Sequence, residues 1–398
     1  MVKLSEKARL MPASPIRKLV PFSEAAKKRG VKVYHLNIGQ PDISTPREAF
    51  DALAAASDPV LRYTHSAGIE SYRRKLADYY NALGIPAVSY EDITVTTGGS
   101  EAIIFAFMSC LNPGDEFITP EPFYANYRGF AVEAGVRITT VTSTIDNNFA
   151  LPSVDQIEER ITDKTRAILI CNPNNPTGYL YSEQEMRRLG RIASEHGLYL
   201  IADEVYREFC YDGATHFSVL NMTEYADNII MIDSVSKRYS MCGVRMGALV
   251  TRNKDITAAV LKLAQARLCP PLLAQIAAEG ALKTPQSYFD NVKDEYTRRR
   301  NFLVKRLRQI EGVRCPMPQG AFYATVELPV DNADDFARWL LEEFSYNGAT
   351  VMLAPASGFY ATEGVGLNQV RVAYVLNIED MAVAMDCLEH GLREYKKR

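Results

Sequence analysis

Apolar positions along this chain follow two rhythms. Short unbroken apolar runs closed by turn residues alternate with longer stretches in which apolar and charged positions interleave at helical spacing. Ile93-Thr-Val-Thr-Thr97 predicts a strand, and Ser100 to Leu111 the helix after it. Glu116 to Thr119 predicts the next strand, followed by a helix over Tyr124 to Glu133. Arg166 to Cys171, Leu198 to Ala202, Asn228 to Ile232 and Gly247 to Val250 are further short apolar runs. Runs that are apolar at every position suit strands covered on both faces, as in a parallel sheet between helix layers. The alternation therefore predicts an α/β domain with a mostly parallel central sheet.

The pattern changes near residue 285. A long charged helix is expected over Gln286 to Gln309, then sparser strands at Ala321 to Val326, Thr350 to Leu353 and Val370 to Val375. Helices over Ala333 to Phe344 and Glu379 to Tyr395 complete a smaller α+β unit. The expected division is a large domain over residues 47–285, with 1–46 and 286–398 forming the small one. A length of 398 residues accommodates both.

Composition narrows the function classes. With 47% hydrophobic and 23% charged residues, the chain has the balance of a globular enzyme. A net charge of -3 gives no basic surplus for nucleic acid or an anionic membrane. No apolar run approaches the roughly 20 residues of a membrane span. The start Met1-Val-Lys-Leu-Ser-Glu has no signal-peptide character. Seven scattered cysteines without a C-x-x-C pair suit reduced thiols and a cytoplasmic location, and no metal knuckle.

The candidate chemistry gathers at predicted strand ends. Thr97-Gly98-Gly99-Ser100 closes a strand and opens a helix, which is either a tight turn or a phosphate cradle of backbone N–H groups. Cys171-Asn-Pro-Asn-Asn175-Pro-Thr-Gly178 is either a rigid surface loop or a mount for the Asn175 amide at a ligand-binding strand end. Asp203, in Ala202-Asp-Glu-Val-Tyr206, either caps a helix or holds a proton on a pyridine nitrogen, with Tyr206 close behind. Ser234-Val-Ser236-Lys237-Arg, followed by Gly243-Val-Arg245-Met-Gly247, sets a lysine able to form a Schiff base among hydroxyls and an arginine suited to a phosphate dianion. Arg371 stands as a single charge in an apolar run, facing outward or serving as a bidentate carboxylate receptor. Gly39, in Leu36-Asn-Ile-Gly39-Gln-Pro-Asp42, offers a backbone amide or simply a turn.

Taken in order, Gly39, Tyr63, Gly99-Ser100, Tyr124, Asn175, Asp203, Tyr206, Ser234-x-Ser236-Lys237, Arg245 and Arg371 resemble the class I/II aminotransferases of pyridoxal phosphate fold type I. The resemblance runs from about residue 14 to the end. It implies pyridoxal 5'-phosphate as cofactor, with Lys237 as Schiff-base lysine and general acid/base. Asp203 is then the pyridinium partner, Asn175 and Tyr206 serve the ring hydroxyl, and Tyr124 stacks on the ring. Gly99, Ser100, Ser234, Ser236 and Arg245 would hold the phosphate, joined by Tyr63 from the partner of a homodimer. Arg371, Asn175 and the Gly39 backbone would clamp the substrate α-carboxylate. The implied activity moves an α-amino group from an amino acid to a 2-oxo acid by a ping-pong route.

The texture is closest to prokaryotic aspartate aminotransferases, which makes aspartate and 2-oxoglutarate the expected pair. Such a substrate needs a second cation for its distal carboxylate. Arg267, before Pro270-Pro271, and Arg17, in Pro15-Ile-Arg17-Lys, are the two candidates. Aromatic, alanine or broad-range transfer and a C–S lyase share the same cofactor residues, and a more distant alternative is the effector-binding module of a regulator. The chain has neither the spare length nor the basic surplus for an added DNA-binding domain.

Overall fold

The computed structural model describes residues 2–397. Its strands in chain order are β1 (Lys32–His35), β2 (Ile93–Thr96), β3 (Glu116–Glu121), β4 (Arg137–Thr142), β5 (Thr165–Cys171) and β6 (Tyr199–Asp203). They continue with β7 (Ile229–Ser234), β8 (Gly247–Val250), β9 (Tyr323–Glu327), β10 (Ala349–Met352), β11 (Ala354–Pro355) and β12 (Gln369–Ala373). A seven-stranded sheet runs β2-β8-β7-β6-β5-β3-β4. Five of its strands, β3 to β7, are mutually parallel. Only β8 runs against its neighbours β2 and β7.

Both faces of this sheet are dry except along the edge strand β4. Along β5, Ala167, Leu169 and Cys171 join one apolar cluster, while Ile168 and Ile170 join the other. On β7, Ile230 and Ile232 are divided from Ile229 and Met231 in the same way. The helix Gly98–Cys110 packs on the first face; Glu70–Ala82 and Glu183–Glu195 pack on the second. Each fully buried Ile or Leu contributes about 1.5–3 kcal/mol. The unbroken apolar runs thus have the two-sided burial their pattern predicts. The helix Glu183–Glu195 starts where Ser182 and Glu185 form a reciprocal capping box.

The remaining strands form two small sheets: β1 with β10 in parallel, and β11-β12-β9 antiparallel. The helices Gln286–Arg308, Ala333–Glu342 and Ile378–Tyr395 pack around them. The expected change of character near residue 285 coincides with the start of the long helix.

Several details differ from the sequence expectation. The helix expected over Tyr124 to Glu133 begins only at Tyr127, because residues 124–126 form a turn that presents Tyr124. The strand expected over Thr350 to Leu353 is β10, which ends at Met352, and β11 follows after Leu353 in a different sheet. Strand β4, Arg-Ile-Thr-Thr-Val-Thr, is an edge strand with a half-exposed face, so it carries threonines where buried strands carry leucine and isoleucine.

Candidate active site

The strand directions decide which residues meet. The carboxyl ends of β2, β5, β6 and β7 open on one edge of the sheet, where ligands of open α/β sheets bind. Because β8 is reversed, its start lies on that same edge, with Gly247 opposite both Thr96 and Ser234. Arg245, just before β8, is thereby brought to the start of the helix Gly98–Cys110. A Cβ on Gly247 would fall 2.6–2.8 Å from backbone atoms of Gly98, Asp233 and Gly99, so this crossing tolerates only glycine. Gly98 itself has φ +74, and a Cβ there would strike the Arg245 guanidinium at 2.5 Å.

A cavity of about 440 Å³ lies at this edge. Of the residues singled out from the sequence, Gly39, Gly99, Ser100, Tyr124, Asn175, Asp203, Tyr206, Ser234, Ser236, Lys237, Arg245, Arg371 and Arg17 all line it. Tyr63 and Arg267 do not. Tyr63 is 79% exposed on the chain surface. Arg267 pairs with Glu101 at 2.6 Å and donates to the carbonyls of Ser66 and Val95, so its two terminal nitrogens are occupied, while its buried Nε has no hydrogen-bond partner.

Asp203 is buried at the cavity floor. Burial pushes its carboxyl up to about 6, against the lowering effect of two donors. These are the Tyr127 hydroxyl, 2.9 Å from Oδ2, and the Val205 N–H, 3.4 Å from Oδ1. No basic side chain hydrogen-bonds to it among the described residues, so this anion wants a cationic group from a ligand. Nearby, the Asn175 Nδ2 donates to the Tyr206 hydroxyl at 3.4 Å, and Tyr206 shares a 2.9 Å hydrogen bond with the Tyr323 hydroxyl. Burial drives the Tyr206 phenol far above its ordinary range, which keeps it a proton donor. The Lys237 amine donates to the Gly39 carbonyl at 2.9 Å and lies 3.7 Å from the Cys242 sulfur.

At the phosphate end, the first turn of the helix Gly98–Cys110 offers backbone N–H groups beside the Ser234 and Ser236 hydroxyls, which are 2.9 Å apart. At the other end, Arg371 is 1% exposed and held in place by Asn175 Oδ1 at 3.1 Å and the Asn37 carbonyl at 2.5 Å. Its Nε has no hydrogen-bond partner, so a buried donor is left for an incoming carboxylate. The guanidinium lies over the Tyr323 ring at 4.6 Å. One wall thus supplies an anion for a ring nitrogen, another a dianion cradle, and a third an orphaned arginine donor. That set fits pyridoxal phosphate together with an α-carboxylate.

Three contributors escaped the sequence reading. Tyr127 and Tyr323 reach the site from a helix and from β9, and Cys242 touches the lysine. The three-residue spacing of Tyr124 and Tyr127 was the available signal for the first. Nothing local distinguished Tyr323 from a core tyrosine.

Comparison with known proteins agrees with this geometry. The family model described as aminotransferase class I and II matches residues 31–386. An aspartate aminotransferase from Pyrococcus horikoshii is 31% identical over 398 residues, covering 99% of this chain and 98% of the relative. Aromatic-amino-acid aminotransferase 2 from Thermococcus litoralis is 30% identical over 400 residues, covering 99% of each. The crystal structure of an aspartate aminotransferase from Thermotoga maritima superposes with a TM-score of 0.89 at 32% identity, over 98% of this chain and all of that one.

Proposed function

This chain belongs to the class I and II aminotransferases, which depend on pyridoxal phosphate, and we propose that its amino donor is a dicarboxylic amino acid, aspartate, with 2-oxoglutarate as acceptor. The observation that carries the substrate assignment is the placement of two arginines in one cavity. Arg371 is buried with an unpartnered Nε, while Arg17 lines the same cavity and its side chain has no partner among the described residues. Two guanidinium groups suit the two carboxylates of aspartate.

Bound here, pyridoxal phosphate supplies an aldehyde that captures amino groups and a ring that withdraws electrons. The protein's residues supply the rest. Asp203 would hold a proton on the ring nitrogen, and Tyr206 and Asn175 would donate to the ring oxygen. Lys237 Nζ would serve as the base that takes the proton from the substrate α-carbon. Ser100, Ser234, Ser236, Arg245 and the Gly99 N–H would hold the phosphate, and Tyr124 would cover the ring. Arg371 orients the α-carboxylate so that the bond to be broken faces Lys237.

A homodimer accounts for a surface feature. Phe50, Leu61, Tyr63, Leu268 and Leu273 are 44–79% exposed. The Ser66 hydroxyl on the Leu268 carbonyl and Gln275 on Thr64 tie the segment of Leu61 and Tyr63 to that of Leu268 and Leu273. Apolar side chains concentrated in this way mark an interface. Across it, Tyr63 would reach the partner's phosphate site. The domain division follows the sheets. Residues 47–285 carry the seven-stranded sheet, and 1–46 with 286–398 carry the two small ones; residues 1 and 398 lie outside those described. Among the described residues no helix is long and apolar enough to cross a membrane. The seven cysteines are all unpaired, which suits the reducing cytoplasm.

The test is a panel of amino donors assayed with 2-oxoglutarate. Aspartate should exceed alanine, phenylalanine and tyrosine in kcat/KM. A panel led by an aromatic or small donor would overturn the assignment while leaving amino transfer intact.

A further inference from the structure

Glu121 closes β3 and is fully buried, yet it does not line the catalytic cavity. Its carboxylate is filled by donors from two directions. Oε1 accepts from the Thr142 hydroxyl of β4 at 2.7 Å. Oε2 accepts from the backbone N–H groups of Ala361 and Thr362, at 2.6 and 3.2 Å. Ala361 stands 240 positions further along the chain, in the loop after β11 that belongs to the smaller unit. Two further bonds repeat the link. The Phe123 N–H donates to the Phe359 carbonyl at 2.9 Å, and Arg128 Nη2 donates to the Tyr360 carbonyl. Residues 359–362 are thus held, one after another, by the segment 121–128. A buried carboxylate is a costly anchor, and a neutral side chain would tie down an idle loop at lower cost.

What the latch carries is one wall of the carboxylate receptor. The Phe359 ring is fully buried, and the Arg371 guanidinium lies over it, 5.0 Å from the ring centroid. The Tyr323 ring packs against the same guanidinium at 4.6 Å. At the start of the loop, Ala354 of β11 pairs with Arg371 itself. An arginine plane packed on rings keeps its fork in one orientation, and apolar cover strengthens each bond it makes to an anion. Arg371 Nε is the donor still unfilled, so the direction of the fork decides how well a carboxylate is caught. Glu121 grips the chain two and three residues beyond Phe359.

We propose that Glu121 is a positioning residue for substrate capture. By latching residues 359–362 it holds Phe359 against Arg371 and sets the guanidinium to receive the α-carboxylate. The inference rests on the reading of Arg371 as the α-carboxylate receptor, and it is independent of the choice of aspartate. Releasing the latch should weaken every amino donor alike. It should leave Lys237 and Asp203 as they were, since neither shares a hydrogen bond with it.

The test uses cofactor-loaded enzyme with alanine, aspartate and phenylalanine as donors, and propionate as an unreactive carboxylate probe. Glu121→Ala strands two backbone donors, and should raise each KM and the inhibition constant of propionate about tenfold. The kcat values should stay within about twofold, and the pH midpoint of the cofactor's visible absorbance should not move. In an Arg371→Lys background the same change should add less than about twofold, because both residues act on one interaction. If Glu121→Ala does not fold, Glu121→Gln keeps an acceptor and loses the charge. It should raise the same constants about threefold, with the same loss of additivity. A purely structural role predicts a lower melting temperature with KM and the propionate constant unchanged, and that result overturns the inference. Equal effects in both backgrounds, a loss confined to kcat or a shifted absorbance midpoint overturn it too. If Arg371→Lys alone changes neither KM nor propionate binding, the receptor reading fails and takes this inference with it.

Discussion

The Tyr127 hydroxyl donates to the Asp203 carboxylate at 2.9 Å, and both side chains are buried. The contact helps a buried acid to ionise against the cost of desolvation, which still prevails and pushes the carboxyl up to about 6. Tyr127→Phe keeps the ring and its edge-on packing against Tyr124 and removes only that donor. Hydrogen bonds to charged groups contribute about 1.5–3 kcal/mol, so kcat/KM should fall about tenfold or more and the cofactor should bind more weakly. Steady-state kinetics with cofactor titration measure both, and unchanged values would remove Tyr127 from the site.

Asp203 also sets a pH dependence of the cofactor-free protein. Its pKa rises from 3.8 to about 6 on folding, so between those values the native chain holds a proton that the unfolded chain has lost. Stability must then fall as pH rises from about 4 to 6, by about 3 kcal/mol from this group. Asp203→Asn removes the penalty and can still accept from Tyr127. The cofactor-free variant should therefore melt several degrees above the native protein at pH 7.5 and match it near pH 3.5. With cofactor the order reverses, because the ring nitrogen loses its counter-ion. Calorimetry of both forms across pH decides it.

Lys237→Ala should abolish turnover and the visible absorbance that develops when the native protein takes up pyridoxal phosphate. The amine is anchored by one carbonyl, that of Gly39, and sits beside Cys242, so the truncation removes the nucleophile with little effect on the fold. Retained activity would refute the central assignment.

Arg371→Lys tests the clamp. Asn175 and the Asn37 carbonyl fix the planar fork, and the free Nε awaits a carboxylate. A lysine carries a point charge that cannot satisfy these partners together. KM for every amino donor should rise about tenfold or more, with a smaller change in kcat. Loss confined to kcat would give Arg371 a different role.

How much of this was legible in the sequence depended on the range of the signal. Residues at strand ends announced themselves, because Asn175, Asp203 and Ser234 follow apolar runs within a few positions. Tyr323 did not, since its hydroxyl meets Tyr206 only through packing between segments 117 residues apart. The reversal of β8 was invisible too: a strand covered on both faces reads the same in either direction. Yet that reversal is what brings Arg245 to the helix that opens at Gly98.

Arg17 and Arg267 separate once their partners are known. Arg267 is tied to Glu101, whose carboxylate also accepts from the Thr97 N–H at the start of the helix Gly98–Cys110. Arg267→Ala should therefore cost stability, about 1–3 kcal/mol for the stranded partner, and depress all amino donors to a similar extent. The Arg17 side chain has no partner to lose among the described residues. Arg17→Ala should leave thermal stability within about 0.5 kcal/mol, as surface substitutions do. It should lower kcat/KM about tenfold or more for aspartate and glutamate while sparing alanine and phenylalanine. If instead the dicarboxylic loss follows Arg267→Ala, the distal carboxylate is read from the face near the exposed Tyr63 and Leu268, where a partner subunit would sit.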